Sequence, residues 1–280
     1  MMKAKELLPK RTADSNKGTY GKLLIIAGKK ECAGCAILSS LAALRSGLGM
    51  VKVVSPNSNF TAVMNTVPEA LLSSDTDDAS IRDDIAWADA VLIGPGIGTG
   101  NRAKRLVNLV LSSRDIPVVI DADGINVIAL NDQLKKALKK KAESDEVVIT
   151  PHLMEMSRLC GLPVPEIKKQ MKEIAAKISD EYGVTTALKD AATVTSSPEG
   201  EIVVNTTGNN GMSTAGSGDV LAGVVGSFLT QSLPGFEAAS LGVYVHGLAG
   251  DVAAEKYGVR GMKALDIAEA LPEALLRIEG

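Results

Sequence analysis

Asp219 closes the tetrapeptide Gly216-Ser217-Gly218-Asp219, and an apolar run, Val220-Leu221-Ala222-Gly223-Val224-Val225, begins directly after it. With Asn209-Asn210-Gly211-Met212-Ser213-Thr214-Ala215 ahead of it, the segment reads as a glycine-rich loop that opens an apolar helix. Small residues let backbone N–H groups crowd round an anion, and a helix start adds unpaired donors and the positive end of the helix dipole. Phosphate is expected there. An aspartate in the first helical turn stands beside that anion hole, where its carboxylate takes a proton from a substrate hydroxyl as a phosphoryl group is transferred. The plainer alternative is an ordinary helix-start aspartate after a flexible loop.

Other segments carry weaker chemistry. Nothing fits G-x-x-x-x-G-K-[ST], because Gly18-Thr19-Tyr20-Gly21-Lys22-Leu23 is too short and lacks the hydroxyl, so a Walker-type NTPase is disfavoured. Gly94-Pro95-Gly96-Ile97-Gly98-Thr99-Gly100 follows an apolar run and lacks the dinucleotide spacing; it reads as a strand-end loop that lets a ligand lie close to the backbone. Asp121 and Asp123 flank a strand end, where paired carboxylates hold a metal or act as acid and base, or else cap the helix beginning at Gly124. Asp123 reads as structural. His152 after Pro151 is either a ligand-facing imidazole or a satisfied surface one, and Lys189 is either a phosphate partner or solvated. His246, in an apolar helical stretch, reads as a core histidine with one hydrogen bond. Cys32-Ala33-Gly34-Cys35 lacks the further ligands of a zinc site and a thioredoxin-like neighbourhood, so the pair reads as small apolar residues near a helix start.

The elements that must position these residues follow from periodicity. Short runs rich in β-branched residues at 23–27, 51–54, 90–93, 118–120 and 147–149 read as buried parallel strands. Helical patterns at 36–44, 102–111, 133–140 and 167–178 alternate with them, which predicts an α/β sheet covered on both faces. After Tyr182 the strands shorten, at 185–188, 193–195 and 202–204, with Ser196-Ser197-Pro198-Glu199-Gly200 as a hairpin-like turn, so antiparallel strands are expected there. From Pro234 onward the pattern is helical, ending in an amphipathic helix over 264–277. No repeat or linker is visible, and residues 1–280 read as one domain.

Composition narrows the partners. At 45% hydrophobic and 22% charged the chain has the makeup of a folded protein, and a net charge of −3 without a basic stripe argues against nucleic acid. The longest apolar region, 220–254, is broken by Pro234, Glu237, His246 and Asp251, short of the ~18 apolar residues of a membrane span. Met1-Met2-Lys3-Ala4-Lys5-Glu6 places charges before any apolar run, so no signal peptide is readable and a cytoplasmic location is expected. The odd count of three cysteines argues against a disulfide framework.

Taken in order, the motifs resemble the ADP/ATP-dependent NAD(P)H-hydrate dehydratases of the ribokinase-like superfamily. The resemblance runs through Asn16-Lys17-Gly18-Thr19-Tyr20-Gly21, Ala33-Gly34-Cys35-Ala36, Ala42-Ala43-Leu44-Arg45-Ser46-Gly47-Leu48-Gly49 and Gly94-Pro95-Gly96-Ile97-Gly98. It continues through Asp121-Ala122-Asp123-Gly124-Ile125-Asn126, Thr150-Pro151-His152-Leu153-Met154-Glu155, Leu188-Lys189-Asp190-Ala191-Ala192-Thr193-Val194, the Asp219 loop and Tyr244-Val245-His246-Gly247-Leu248-Ala249-Gly250. It implies a three-layer α/β/α sandwich, ribokinase-like, with a mostly parallel central sheet and some antiparallel strands. It also implies a repair reaction, the nucleotide-driven dehydration of NADH or NADPH hydrated at C6 of the nicotinamide ring, with Asp219 as base. A fused epimerase domain, common in the family, finds no room in 280 residues.

Carried over residue by residue, the resemblance puts the hydrated substrate near Cys35, Ala36, Gly96, His152 and Asp219. It puts ADP or ATP at Lys189, Asp190, Ala191, Ala192, Thr193, Asn209, Gly216, Ser217 and Gly218. Glu155 takes the place of an acidic residue that helps order Mg²⁺ through water. Relatives imply a homo-oligomer, a tetramer. Three departures stand out: Leu153-Met154 where relatives read Pro-Gly, which is expected to alter the turn; Asp190 for glycine, costly if φ is positive and adding charge beside the nucleotide; and Cys35 for alanine. The alternatives are a sugar or hydroxymethylpyrimidine kinase of the same superfamily, or a nucleotide-binding protein without turnover.

Overall fold

Runs of three to five apolar residues buried on both faces fit only the interior of a sheet with helices on each side. The computed structural model describes residues 4–280, so residues 1–3, where the reading of the chain start begins, lie outside the described residues. Its sheet has nine strands: β1 (Lys22–Ile26), β2 (Met50–Ser55), β3 (Leu71–Ser74), β4 (Ala90–Ile93), β5 (Val118–Ile120), β6 (Val147–Ile149), β7 (Thr185–Leu188), β8 (Val194–Ser196) and β9 (Ile202–Val204). They lie in the order β3-β2-β1-β4-β5-β6-β7-β8-β9. Pairing is parallel from β3 to β7, and β8 and β9 add antiparallel strands. The shortening after Tyr182 marks this change of direction.

Strand alternation splits the interior into two cores. Leu23 and Ile25 of β1 face helices Gly34–Arg45, Ser217–Thr230, Gly235–Gly261 and Ala264–Glu279. Leu24 and Ile26 face the opposite layer, which includes helices Asn101–Leu111 and Met171–Tyr182. The result is the three-layer α/β/α sandwich. Chain order reverses between β1 and β4, and at such a switch point the loops leaving neighbouring strands diverge to opposite faces and open a crevice at the carboxyl edge.

Three local expectations change. Strand β3 has no run of apolar residues to announce it; it is a half-exposed edge strand, Leu71-Leu72-Ser73-Ser74, paired only with β2. The single helix expected over 167–178 is two, Val164–Lys169 and Met171–Tyr182, because Gln170 leaves helical geometry at φ −136°. The long helix Gly235–Gly261 is interrupted at Gly258, whose φ is 68°. Among the described residues no helix is long and apolar enough to cross a membrane.

Candidate active site

The site is assembled at the carboxyl edge, from loops leaving β1, β4, β5, β6 and β7, and from the start of helix Ser217–Thr230, which packs against that edge. Gly216 caps this helix with φ 92°, Ser217 donates its amide to Thr214, and Val220 donates to Gly216. The amides of Gly218 and Asp219, lying between them, donate no hydrogen bond among the described residues. Two adjacent N–H groups at a helix start, unbonded among the described residues, make a cradle able to receive an anion.

Two charged side chains flank the cradle. Lys189, at the end of β7, reaches back so that its Nζ lies 3.3 Å from where a Cβ on Gly218 would stand. It is held there by Asp121, at the end of β5, whose Oδ1 accepts from Lys189 Nζ at 2.6 Å and from Thr150 Oγ1 at 2.7 Å. Burial alone would depress the Lys189 ammonium, but Asp121, Glu155 and Asp219 outweigh it and hold its pKa above the ordinary value. Asp219 is half-buried, and no donor among the described residues bonds its carboxylate. Burial, with Asp121 and Asp123 nearby, raises its pKa to about 7 against the pull of Lys189. A carboxyl that releases its proton near neutral pH is suited to act as a general base.

The expected nucleotide residues gather around a cavity of about 650 Å³, within the size range of small-molecule pockets. Lys189, Asp190, Ala191, Thr193, Asn209, Ser217 and Gly218 line it; Ala192 and Gly216 do not. Asn209 has its side chain fully engaged, donating to Gly250 O and Asp251 Oδ1 at 2.9 Å each and accepting from Gly211 N, so it shapes the loop and leaves only backbone for a ligand. Asp190 is not among the residues with positive φ, and its carboxylate pairs with Lys168 at 3.3 Å. Both costs expected of it are therefore small.

His152 caps helix Leu153–Cys160: Nδ1 accepts from Met154 N and Glu155 N, leaving Nε2 to donate to Glu155 Oε1 at 3.0 Å. The other oxygen of Glu155 accepts from His152 N at 2.8 Å. Burial pushes Glu155 up, but these bonds and Lys189 prevail and hold it below its ordinary value. Leu153 and Met154 thus open a helix capped by the side chain of His152.

Beyond Asp219, the loop after β4 meets the helix after β1. Gly96 has φ 65°, and a Cβ there would lie 2.4 Å from Cys35 Sγ, so only glycine allows this approach. Asp123 fixes the same loop by accepting from Gly98 N at 2.8 Å. It is the first residue of helix Asp123–Ala129, with Ala122 as cap, and so does not cap a helix beginning at Gly124. Ala36 is fully buried behind Cys35, while Cys32 and Cys35 are free thiols. Burial, with Asp219 adjacent, pushes the Cys35 thiol up to about 12, so it stays neutral.

Several lining residues escape sequence reasoning, His246 and Thr207 among them. His246 packs in the core as expected, with one contact to Ser217 Oγ at 3.3 Å, yet it also lines the cavity, and burial with Lys189 nearby lowers its pKa to about 4. Thr207, which also lines the cavity, has its hydroxyl turned to Tyr244 O. Its only sequence signal is its place between the last strand and the glycine-rich loop.

Residues 23–273 match the family model for NAD(P)H-hydrate dehydratase. The chain belongs to that family. An ADP-dependent (S)-NAD(P)H-hydrate dehydratase of Neisseria meningitidis is 37% identical over 264 residues, which cover 93% of this chain and 86% of that protein. The crystal structure of an ADP/ATP-dependent NAD(P)H-hydrate dehydratase from Bacillus subtilis, co-crystallised with ATP/Mg²⁺, superposes with TM-score 0.85 at 28% identity and covers 99% of this chain and 96% of that one. A ribokinase-like superfamily protein from Enterococcus faecalis gives TM-score 0.87 at 29% identity, covering 100% and 96%. The fold of this dehydratase-family chain is therefore ribokinase-like. The chain spans about half the length of the bifunctional NAD(P)H-hydrate repair enzymes it also matches, 52% in the case of Moorella thermoacetica.

Proposed function

We propose that this chain restores NADH or NADPH from the form hydrated at C6 of the nicotinamide ring, using ADP or ATP as co-substrate. The observation that carries the reading is the pair of unpaired amides at Gly218 and Asp219, with the Lys189 ammonium on one side and the Asp219 carboxylate on the other. The nucleotide lies in the 650 Å³ cavity, which His152 also lines, with its phosphates at the cradle. The hydrated ring lies beside Cys35, Gly96 and Asp219, and Ala36, fully buried, supports Cys35 from behind without touching the ring.

Asp219 takes the proton of the C6 hydroxyl; the oxygen attacks the terminal phosphorus, and the bond to the departing nucleotide breaks. The ring nitrogen lone pair then forms a C6=N1 bond as the C6–O bond to phosphate breaks, and loss of a proton from C5 restores the dihydropyridine. Hydroxide is a poor leaving group and phosphate a good one, which gives a dehydration its reason to use a kinase fold. Main-chain amides and Lys189 meet the charge that spreads over the transferred phosphoryl oxygens.

Mg²⁺, when bound with the nucleotide, would neutralise phosphate charge. Among the described residues no group of three or more His, Cys, Asp or Glu stands ready to hold a metal directly, which suits an ion carried by phosphates and its own water. Both oxygens of Glu155 are already hydrogen-bonded to His152, which fits a contact with such an ion through water. A homo-oligomer, a tetramer by resemblance, and a cytoplasmic setting accompany this reading.

The test is to supply hydrated NADH and hydrated NADPH with ADP or ATP and follow reduced-nicotinamide absorbance. Recovery that depends on nucleotide is expected; a stable phosphorylated alcohol would instead mark a kinase, and binding without turnover a sensor. Because Asp219 must be ionised to act and its pKa is about 7, kcat/KM should climb as pH rises toward 7 and level off above it. A rate flat from pH 5 to about 8 would remove Asp219 from the role of base.

A further inference from the structure

We propose that Asp121 is a positioning residue for this reaction: it anchors the Lys189 ammonium beside Gly218 and so sets where the transferred phosphate lies relative to Asp219. The inference rests on the dehydratase reading above and assigns a task to a carboxylate that the reading leaves unused.

Asp121 is only 1% exposed, and a carboxylate so deeply buried persists where it is paired and hydrogen-bonded. Its Oδ1 carries both anchors, Lys189 Nζ at 2.6 Å and Thr150 Oγ1 at 2.7 Å, drawn from the ends of the two strands next in line, β7 and β6. Its Oδ2 accepts no hydrogen bond among the described residues and lies 3.9 Å from where a Gly218 Cβ would stand. One oxygen thus holds the cation while the other faces the start of helix Ser217–Thr230. The backbone is bent to allow this: Ala122 takes φ 50° and ψ −119°, a conformation an alanine rarely adopts, and it sends Asp121 toward Lys189 and Asp123 toward Gly98.

The charges around the base make the arrangement readable in solution. Asp219 is faced by Asp121 from the end of β5, Asp123 from the following helix, Lys189 from the end of β7 and the neutral Cys35 thiol from helix Gly34–Arg45. Lys189 is faced by Asp121, Glu155 and Asp219, with neutral His246 close by. Removing the Asp121 charge deletes a repulsion on ionised Asp219 and leaves the attraction of Lys189 less shared, so both changes ease deprotonation of the base. The same removal frees the lysine from its anchor, which weakens the grip on phosphate.

In the full chain, Asp121→Asn is expected to move the acid limb of the kcat/KM profile down by about one pH unit and to raise the ADP dissociation constant about tenfold. Asp121→Glu should restore part of both. A folded Asp121→Asn protein with the parent's acid limb and the parent's ADP affinity overturns the proposal. If that variant does not fold, Thr150→Val, which keeps every charge but removes one anchor, is expected to weaken ADP binding several-fold without moving the acid limb; unchanged binding again overturns it. Failure of the parent protein to dehydrate either hydrate would defeat the dehydratase reading alone, because the ADP measurement still reports on the Asp121 anchor.

Discussion

Asp219→Asn is expected to lower kcat for nucleotide-driven dehydration by about 10²–10⁴-fold, the range general-base catalysis contributes, while ADP binding stays equal or tightens because a negative charge beside the phosphate is gone. The same substitution should raise thermal stability. The folded pKa of Asp219, about 7, lies above its ordinary 3.8, so between those values the native chain holds a proton that the unfolded chain releases. Stability therefore falls as pH rises through that window, and at neutral pH and above the ionised carboxylate is a net cost. Asparagine keeps the volume without the charge, and a gain in Tm on the order of a few °C follows for a domain of this size. Differential scanning calorimetry beside steady-state kinetics checks both halves; a variant that is inactive and also less stable would show that Asp219 is ordinary scaffold.

Gly218→Val is expected to abolish productive nucleotide binding with little loss of fold. A Cβ at 218 would stand 3.3 Å from Lys189 Nζ, close enough that the lysine must yield, and a branched side chain would fill the cradle itself. Losing two amide bonds to a charged phosphate, each worth about 1.5–3 kcal/mol, corresponds to at least a 10²-fold rise in the ADP dissociation constant. Calorimetric titration of ADP reads this directly, and an affinity within threefold of the parent would place the phosphate elsewhere.

Eight of the nine strands were legible because each is dominated by apolar or β-branched residues, most of them buried on both faces, although Lys52 interrupts β2 and β9 is largely exposed. Strand β3 was not, because an edge strand with one neighbour tolerates Ser73 and Ser74 and needs no such run. The break at Gln170 left no proline or glycine in the sequence to mark it; it is visible only in the backbone. At the site, the helix start at Ser217 could be read because glycine-rich loops and apolar helices have strong local signals. The link between Asp121 and Lys189 could not, since it spans 68 positions and depends on β5 and β7 lying on either side of β6. The dual position of His246 was hidden for a related reason: an apolar helical stretch reads the same whether its neighbour is a side chain or a cavity wall.

Helices Gly34–Arg45 and Ser217–Thr230 approach so closely that a Cβ on Gly223 would lie 2.2 Å from Ser39 O, and Ser39 Oγ donates to Asp219 O at 2.9 Å. Two backbones in contact have no side-chain cushion between them to rearrange, and tightly packed interiors transmit displacement with little slack. The wall carrying Cys35 and Ala36 and the base that faces it must therefore travel as a single block. Any closing of the cleft over its ligands must then come from elements outside this block.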